Sequence, residues 1–134
     1  MAKILIVDDS QFFRDVYSKV LSDNGFEVET AVNGKIALAS MLNTTPDMVF
    51  LDLVMPEMNG EEVLRIMHTI DSLKNVPVVM LTSIAPEVKG VEILSAGPLT
   101  AYFVKDKTSP EDIVHKTEEV LGNYEHAYDP KENA

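Results

Sequence analysis

The segment KILIVDDS, residues 3–10, carries the pattern that decides the fold, because four consecutive apolar residues run directly into two aspartates. An apolar run without alternation is typical of a strand buried on both faces, as in a parallel sheet. Similar short runs recur along the chain, so this segment is predicted to be the first of several strands. The predicted strands are KILIVD (3–8), FEVETA (26–31), DMVFLDLV (47–54), VPVVMLTS (76–83) and AYFVK (101–105).

Helical patterns separate these strands. The segment that follows the first strand ends at Gly25, a residue type that commonly follows a helix. It has an apolar stripe with helical spacing, formed by Phe13, Val16, Tyr17, Val20 and Leu21. The last helix begins at SPED, where Ser109 can cap the helix and Pro110 can occupy its first turn. Five strand–helix units predict an α/β protein of the flavodoxin-like, doubly wound (βα)5 class. Its five-stranded parallel sheet should have the order 2-1-3-4-5, with helices on both faces.

The composition restricts the class of protein. The 134 residues suffice for one globular domain, predicted over 1–122, and the polar segment 123–134 is predicted to be a C-terminal tail or a truncated linker. A net charge of −11 without a basic patch argues against direct nucleic-acid binding. The sequence has no cysteine and no apolar segment of membrane-spanning length, so a cytoplasmic location without membrane contact is expected.

The aspartates that follow the first strand raise an electrostatic question. Taken alone, Asp9 or Ser10 could simply cap the next helix. In the predicted strand order, however, Asp52 at the end of the third strand lies at the same edge of the sheet as Asp8 and Asp9. Three neighbouring carboxylates repel one another unless a cation neutralises them. An all-oxygen site of this kind suits Mg²⁺ or Mn²⁺ and not Zn²⁺.

Two further polar residues are predicted at this edge, since Thr82 closes the fourth strand and Lys105 closes the fifth. Taken singly, Thr82 is an ordinary strand residue or helix cap, and Lys105 is an ordinary solvated charge. Together with the carboxylates they predict a phosphoryl-transfer site with Asp52 as the nucleophile. Lys105 and the metal would neutralise the phosphoryl oxygens, and Thr82 would donate a hydrogen bond to one of them. The resulting acyl phosphate on Asp52 suits a reversible switch.

In the order and type of these residues the chain resembles a receiver domain of the two-component response regulators, from about Lys3 to Leu121. The shared elements are the acidic pair DD at 8–9, the stretch DLVMPEMNG from 52, Thr82 with a small residue after it, and YFVK at 102–105. Because these elements occur in order across nearly the whole chain, a chance resemblance is very improbable.

The resemblance implies how the phosphoryl group is acquired. Asp52 would accept it from a phosphohistidine on a histidine kinase or a histidine phosphotransfer protein. Mg²⁺ would be held by Asp9, Asp52 and the backbone carbonyl of Val54, with Asp8 acting partly through water.

The resemblance also implies how the signal leaves the domain. Thr82 and Tyr102 would act as switch residues that remodel the surface of the fourth helix, the fifth strand and the fifth helix, where a downstream protein would bind. The chain is expected to be a monomer or a weak dimer. No turnover substrate of its own is expected, only self-phosphotransfer and slow autodephosphorylation at Asp52. Loss of the phosphoryl group from Asp52 should be slow, because Val54 and Ile84 are apolar at positions where a polar side chain could orient the attacking water.

The chain departs from that family at two places. Lys105 is followed by Asp106 where most relatives have proline, so a trans peptide bond and an altered loop are expected. Asp106 is also expected to compete for the Lys105 ammonium. The segment AGPLTAY, residues 96–102, is one residue longer than usual, which predicts an unusual approach to the fifth strand. The three histidines match no family position and are interpreted as surface residues: His68, His115 and His126.

Three other functions compete with this interpretation. A flavin or nucleotide binder of the same fold would need a loop rich in Gly, Ser or Thr after the first strand, where this chain has two aspartates. A phosphohydrolase of the haloacid dehalogenase type would need DxD after the first strand, and the chain has DDS. A receiver-like protein-interaction module that acts without phosphorylation remains the alternative, although the intact Asp52, Thr82 and Lys105 favour the phosphorylated switch.

Overall fold

A computed structural model of the chain describes residues 1–122, except for the side chains of residues 89–92 and 94. The predicted tail, 123–134, lies outside the described residues. The strands are β1 Lys3–Val7, β2 Glu27–Ala31, β3 Met48–Leu51, β4 Val78–Thr82 and β5 Ala101–Val104. The helices are α1 Gln11–Asp23, α2 Gly34–Asn43, α3 Gly60–Met67, α4 Pro86–Ala96 and α5 Pro110–Leu121, and a 3₁₀ turn spans Lys105–Lys107. Within residues 1–122, no helix is both long enough and apolar enough to cross a membrane.

The strands form one parallel sheet in the order β2-β1-β3-β4-β5, which confirms the predicted flavodoxin-like topology. β1 lies between β2 and β3, and its last residue, Val7, is opposite both Ala31 and Leu51. The N–H of Asp52 donates to the carbonyl of Val7 at 2.9 Å. This register places Asp8 and Asp52 side by side, as the first residues beyond two neighbouring strands.

Two apolar cores cover the two faces of the sheet, because successive strand side chains point to opposite sides. In β1, Leu5 and Val7 pack on the side of α2, α3 and α4, whereas Ile4 and Ile6 pack on the side of α1 and α5. All four side chains are at most 1% exposed. The continuous apolar run that opened the sequence is therefore explained by a strand that is buried on both faces.

The helix ends follow the capping residues of the sequence. The Ser10 side chain accepts a hydrogen bond from the N–H of Phe13 at the start of α1, and Gly25 has a φ of +89° after its end. Ser109 forms a capping box with Asp112 at the start of α5. These caps satisfy backbone groups that a helix leaves unpaired at its ends, and they were predicted from residue type and spacing.

β3 is shorter than the predicted 47–54, because it ends at Leu51. The N–H of Asp52 still donates to β1, whereas the carbonyl of Leu53 accepts a hydrogen bond from the N–H of Gly60 at 2.9 Å. The chain thus leaves the sheet at Asp52 and folds back against the start of α3. An apolar run alone does not reveal this turn.

The segment before β5, for which an unusual conformation was predicted, packs against the end of α3. Gly97 has a φ of +155°, and a Cβ atom at this position would overlap the ring of His68, which caps α3. His68 is partly buried, and its Nδ1 atom is buried without a hydrogen-bond partner among the described residues. The prediction of a surface residue is therefore wrong for His68. It is confirmed for His115, and His126 lies outside the described residues.

Candidate functional site

Three carboxylates meet at the carboxyl end of the sheet. One oxygen from each of Asp8, Asp9 and Asp52 lies within 4.8 Å of the others. Asp8 and Asp52 are buried, at 2% and 6% exposure, whereas Asp9 is exposed. The N–H of Ser10 donates to Asp8 Oδ1 at 2.9 Å, which orients that carboxylate. Of the three carboxylates, only that of Asp9 is exposed to solvent.

Lys105 supplies the positive charge of the site. Its Nζ atom lies 2.7 Å from Asp8 Oδ2 and 3.2 Å from Asp52 Oδ2, and its side chain is only 7% exposed. Asp106, in contrast, is exposed on the 3₁₀ turn and forms no ion pair with Lys105 among the described residues. The expectation that Asp106 competes for Lys105 is therefore wrong for this structure. The Lys105–Asp106 peptide bond is trans, as expected.

The electrostatics of Asp52 reflect its burial. Burial raises the pKa of this carboxyl group, the Lys105 ammonium lowers it, and the neighbouring Asp8 charge raises it. Hydrogen bonds from Lys105 and Thr82 act against the rise without cancelling it. A buried carboxylate is poorly solvated, which favours its reaction with an electrophile when it is ionised.

Thr82 and Tyr102 lie on the β4 and β5 side of the site. Thr82 is the last residue of β4 and is 1% exposed. The Tyr102 hydroxyl donates to the backbone carbonyl of Ile84 at 2.5 Å, so β5 is tied to the segment that follows β4. Burial raises the pKa of Tyr102, and the Asp52 charge adds to the effect, so the hydroxyl remains a donor at neutral pH.

An open cleft of about 230 Å³ lies beside Asp52, between the segment after β3 and the segment after β4. It is lined by Leu53, Val54, Met55, Asn59, Glu61 and Ile84. Val54 is 57% exposed, so much of its apolar surface faces the solvent. The cleft begins at Leu53, the residue that follows Asp52.

The segment after Asp52 is held tightly against α3. A Cβ atom at Gly60 would overlap the carbonyl oxygen of Asp52 and would lie 3.0 Å from Leu53 Cα. Asn59 and Glu62 form a capping box at the same helix start. The backbone of Asp52 is thus positioned by close contact with the first residue of a capped helix.

Two residues of the site were not predicted from the sequence. Phe13 was assigned only to the apolar stripe of α1, but its ring centroid lies 4.2 Å from Lys105 Nζ. Arg14 Nη1 donates to the backbone carbonyl of Asp8 at 2.8 Å. Both residues lie in the first turns of the helix that follows the acidic pair, and this position was the available signal.

Comparisons with known proteins give a consistent result. The model of the response regulator receiver domain family matches residues 4–118. The protein PilG of Pseudomonas aeruginosa is 32% identical over 108 residues, which cover 78% of this chain and 80% of that protein. The CpxR homolog, a transcriptional regulatory protein of Haemophilus influenzae, is 41% identical over 97 residues, which are 72% of this chain but 41% of the relative. The chain thus spans less than half of this longer relative.

Solved structures agree with this family. The chemotaxis protein CheY4 of Vibrio cholerae superposes with a TM-score of 0.82 at 36% identity, covering 90% of this chain and 98% of that chain. A CheY-like receiver domain protein of Methanospirillum hungatei superposes with a TM-score of 0.82 at 31% identity, covering 93% and 97%. The fold and its five-stranded order are therefore shared along nearly the whole described chain.

Proposed function

Because this chain belongs to the response regulator receiver domain family, we propose that it is a phosphorylation-dependent signalling switch of a two-component system. Asp52 accepts a phosphoryl group from a phosphohistidine on a histidine kinase or a histidine phosphotransfer protein. The observation that carries the proposal is the buried Lys105 ammonium, which bridges Asp8 and Asp52 next to the exposed Asp9. This arrangement combines a carboxylate nucleophile with a fixed cation beside it.

The residues divide the reaction between them. An Asp52 oxygen attacks phosphorus, the P–N bond of the phosphohistidine breaks, and its electron pair stays on the imidazole, which retains or takes up a proton. Lys105 and Thr82 face the developing charge on the phosphoryl oxygens, and they are already in place before the reaction. Before the reaction, two carboxylates hold the Lys105 ammonium beside the nucleophile.

The donor set fits a divalent cation. Three carboxylates whose oxygens approach within 4.8 Å are compensated by one lysine, which leaves excess negative charge in the group. All-oxygen donors with an exposed member suit Mg²⁺, or Mn²⁺, which keep several water ligands. Asp8, Asp9, Asp52 and the backbone carbonyl of Val54 would hold it. The bound cation would neutralise phosphoryl oxygens and the repulsion between the carboxylates.

The output would travel from the site to a protein-binding surface. Thr82 would follow the phosphoryl group, and Tyr102, which is hydrogen-bonded to Ile84, would respond to movement of the segment after β4. The affected surface is formed by α4, β5 and α5, and a downstream protein would bind there. The protein would act in the cytoplasm as a monomer or a weak dimer, without direct contact to nucleic acid or membrane.

Intact mass tests the proposal directly. The protein is incubated with a small-molecule phosphodonor and Mg²⁺, and we expect the wild type to gain the mass of one phosphoryl group. Asp52→Asn should gain none, and Asp9→Asn should lose most of the response to Mg²⁺. Asp71→Asn is the matched control, because the Asp71 side chain is 98% exposed and distant in sequence from the acidic pair. A wild type that gains no phosphoryl group would favour the phosphate-independent interaction module instead.

A further inference from the structure

The Lys105 ammonium has a third neighbour besides its two carboxylates. The ring of Phe13 lies against it, with 4.2 Å between Nζ and the ring centroid. This distance is within the range of cation–π attraction, which is strongest when the cation is removed from water. The Lys105 side chain is 7% exposed, so the attraction acts in the favourable regime. The ring is not required by the charge balance of the site and therefore needs its own explanation.

The Phe13 ring is positioned by the start of α1 and by its packing against Tyr17. The backbone of Phe13 lies in the first turn of α1, and its N–H donates to the Ser10 side chain at 3.4 Å. One turn later, Tyr17 stacks on the ring with 5.6 Å between centroids and an interplanar angle of 19°. Tyr17 is 3% exposed and belongs to the core beneath α1. The position of the ring thus follows from the helix and its packing, and not from Lys105.

The three partners of Lys105 differ in what happens to them during the proposed reaction. Asp52 becomes phosphorylated to an acyl phosphate, and Asp8 is among the residues that would hold the divalent cation. Both carboxylates therefore change their interaction with the ammonium when the site is loaded. Lysine has a flexible stem with many rotamers, so an ammonium released from Asp8 could turn away into water. The attraction of the Phe13 ring does not depend on either carboxylate.

Accepting the proposed function, we propose that Phe13 is a positioning residue for Lys105. Its ring keeps the ammonium at the pocket when the carboxylates are taken up by the cation and the phosphoryl group. Lys105 can then contact the phosphoryl oxygens without a search among rotamers. Phe13 itself would contact neither the phosphoryl group nor the metal, and it would act only through Lys105.

A fluorination series separates this role from simple packing. Mono-, di- and trifluorinated phenylalanine at position 13 keep the shape of the ring but progressively weaken its attraction for a cation. We expect the rate of phosphorylation by a small-molecule phosphodonor, at saturating Mg²⁺, to fall stepwise by about three- to tenfold over the series. The rate of Phe13→Leu should be as low as that of the trifluorinated variant, and Phe13→Tyr should retain most of the wild-type rate. A packing role would not order the rates by fluorine count.

The matched control is the neighbouring Phe12. This side chain is 68% exposed and contacts Phe13 edge-on, with 5.2 Å between the ring centroids. The same fluorinated residues at position 12 should leave the rate unchanged. In a Lys105→Met background, the fluorinated residues at position 13 should also leave the phosphorylation rate unchanged, since the ring then has no ammonium to hold.

A readout without phosphorylation completes the test. In the wild type, the ring current of Phe13 should shift the Cε protons of Lys105 upfield in the NMR spectrum, and the shift should persist when Mg²⁺ is added. Loss of the shift on adding Mg²⁺, or equal rates throughout the fluorinated series, would overturn the positioning role. If the wild type gains no phosphoryl group at all, the proposed function fails, and this outcome is distinct from a phosphorylated protein with a flat series.

Discussion

Asp52 combines two properties that oppose each other at the level of a single residue. It must be ionised to act as a nucleophile, yet it is 6% exposed and faces the charge of Asp8. Lys105 compensates part of this cost through an ion pair of 3.2 Å. A buried charge lowers the stability of the fold relative to an uncharged residue at the same position. Its presence here is therefore typical of a functional site.

The first prediction concerns stability and pH. The folded-state pKa of Asp52 is raised by burial, so the folded protein binds more protons than the unfolded chain at intermediate pH. Ionised Asp52 therefore costs stability as the pH rises above the unfolded value of about 4. We expect Asp52→Asn to be more stable than the wild type at neutral pH, with a difference that shrinks as the pH falls toward about 4. Chemical denaturation across pH measures this difference.

The matched control is Asp71→Asn, since this side chain is 98% exposed. Its stability should follow that of the wild type at every pH. A difference between Asp52→Asn and wild type that does not change with pH would contradict the electrostatic origin of the effect.

The second prediction concerns the lifetime of the acyl phosphate. Val54 and Ile84 line the cleft beside Asp52, and neither side chain can hydrogen-bond a water molecule. Loss of the phosphoryl group should therefore be slow. We expect the double variant Val54→Asn with Ile84→Glu to lose the group about tenfold faster, which corresponds to about 1.4 kcal/mol of barrier. Val54→Leu with Ile84→Leu, which keeps the cleft apolar, should decay like the wild type when followed by intact mass.

At the level of secondary structure elements, the sequence predicted what depends on local pattern. The apolar runs predicted all five strands, and residue type predicted the helix caps at Ser10 and Ser109. The end of β3 at Leu51 was not predicted, because an apolar run does not show where backbone hydrogen bonds change partners. The contact of Phe13 with Lys105 and that of His68 with Gly97 were also missed. Both join segments that only the tertiary fold brings together.

The third prediction tests the contact between α3 and the backbone of Asp52. A Cβ atom at Gly60 would overlap the Asp52 carbonyl oxygen, so Gly60→Ala must displace either the helix start or Asp52. We expect a loss of about 2 kcal/mol or more in the free energy of unfolding, as for an overpacked core, and a lower phosphorylation rate. Gly25→Ala is the control: φ is +89° but no atom lies within 4 Å, so it should cost about 1 kcal/mol and leave the rate unchanged. Equal rates in Gly60→Ala and wild type would contradict the positioning of Asp52.

The fourth prediction tests the contact between α3 and the segment before β5. A Cβ atom at Gly97 would overlap the ring of His68, and the φ of +155° is itself unfavourable for alanine. Gly97→Ala should therefore lower the free energy of unfolding by about 2 kcal/mol or more. Removing the ring in the double variant Gly97→Ala with His68→Ala should recover the steric part of this loss. If the changes in the free energy of unfolding caused by the two substitutions were additive, the overlap would be relieved by a movement that does not involve the His68 ring.

At the scale of the whole molecule, the apolar cores and the acidic cluster occupy separate regions. Two apolar cores, one on each face of the sheet, stabilise the fold, whereas the acidic cluster lies beyond the carboxyl ends of the strands. Because β1 and β3 are adjacent, residues that are far apart in sequence form one site without weakening either core. The cluster adds to a chain that already carries a net charge of −11. A cation that binds the folded cluster should then stabilise the entire domain.

The fifth prediction follows from this linkage. A ligand that binds only the folded state stabilises it by about 2.7 kcal/mol at 100 times its Kd, so Mg²⁺ should raise the wild-type Tm by several degrees. Asp9→Asn should respond much less, because Asp9 is the exposed carboxylate of the cluster. Without Mg²⁺, the same variant should be at least as stable as the wild type, because it removes one of three repelling charges. Monovalent salt of equal ionic strength and Asp71→Asn serve as controls, and equal Mg²⁺ shifts in wild type and Asp9→Asn would indicate general screening of the acidic surface instead of binding at the cluster.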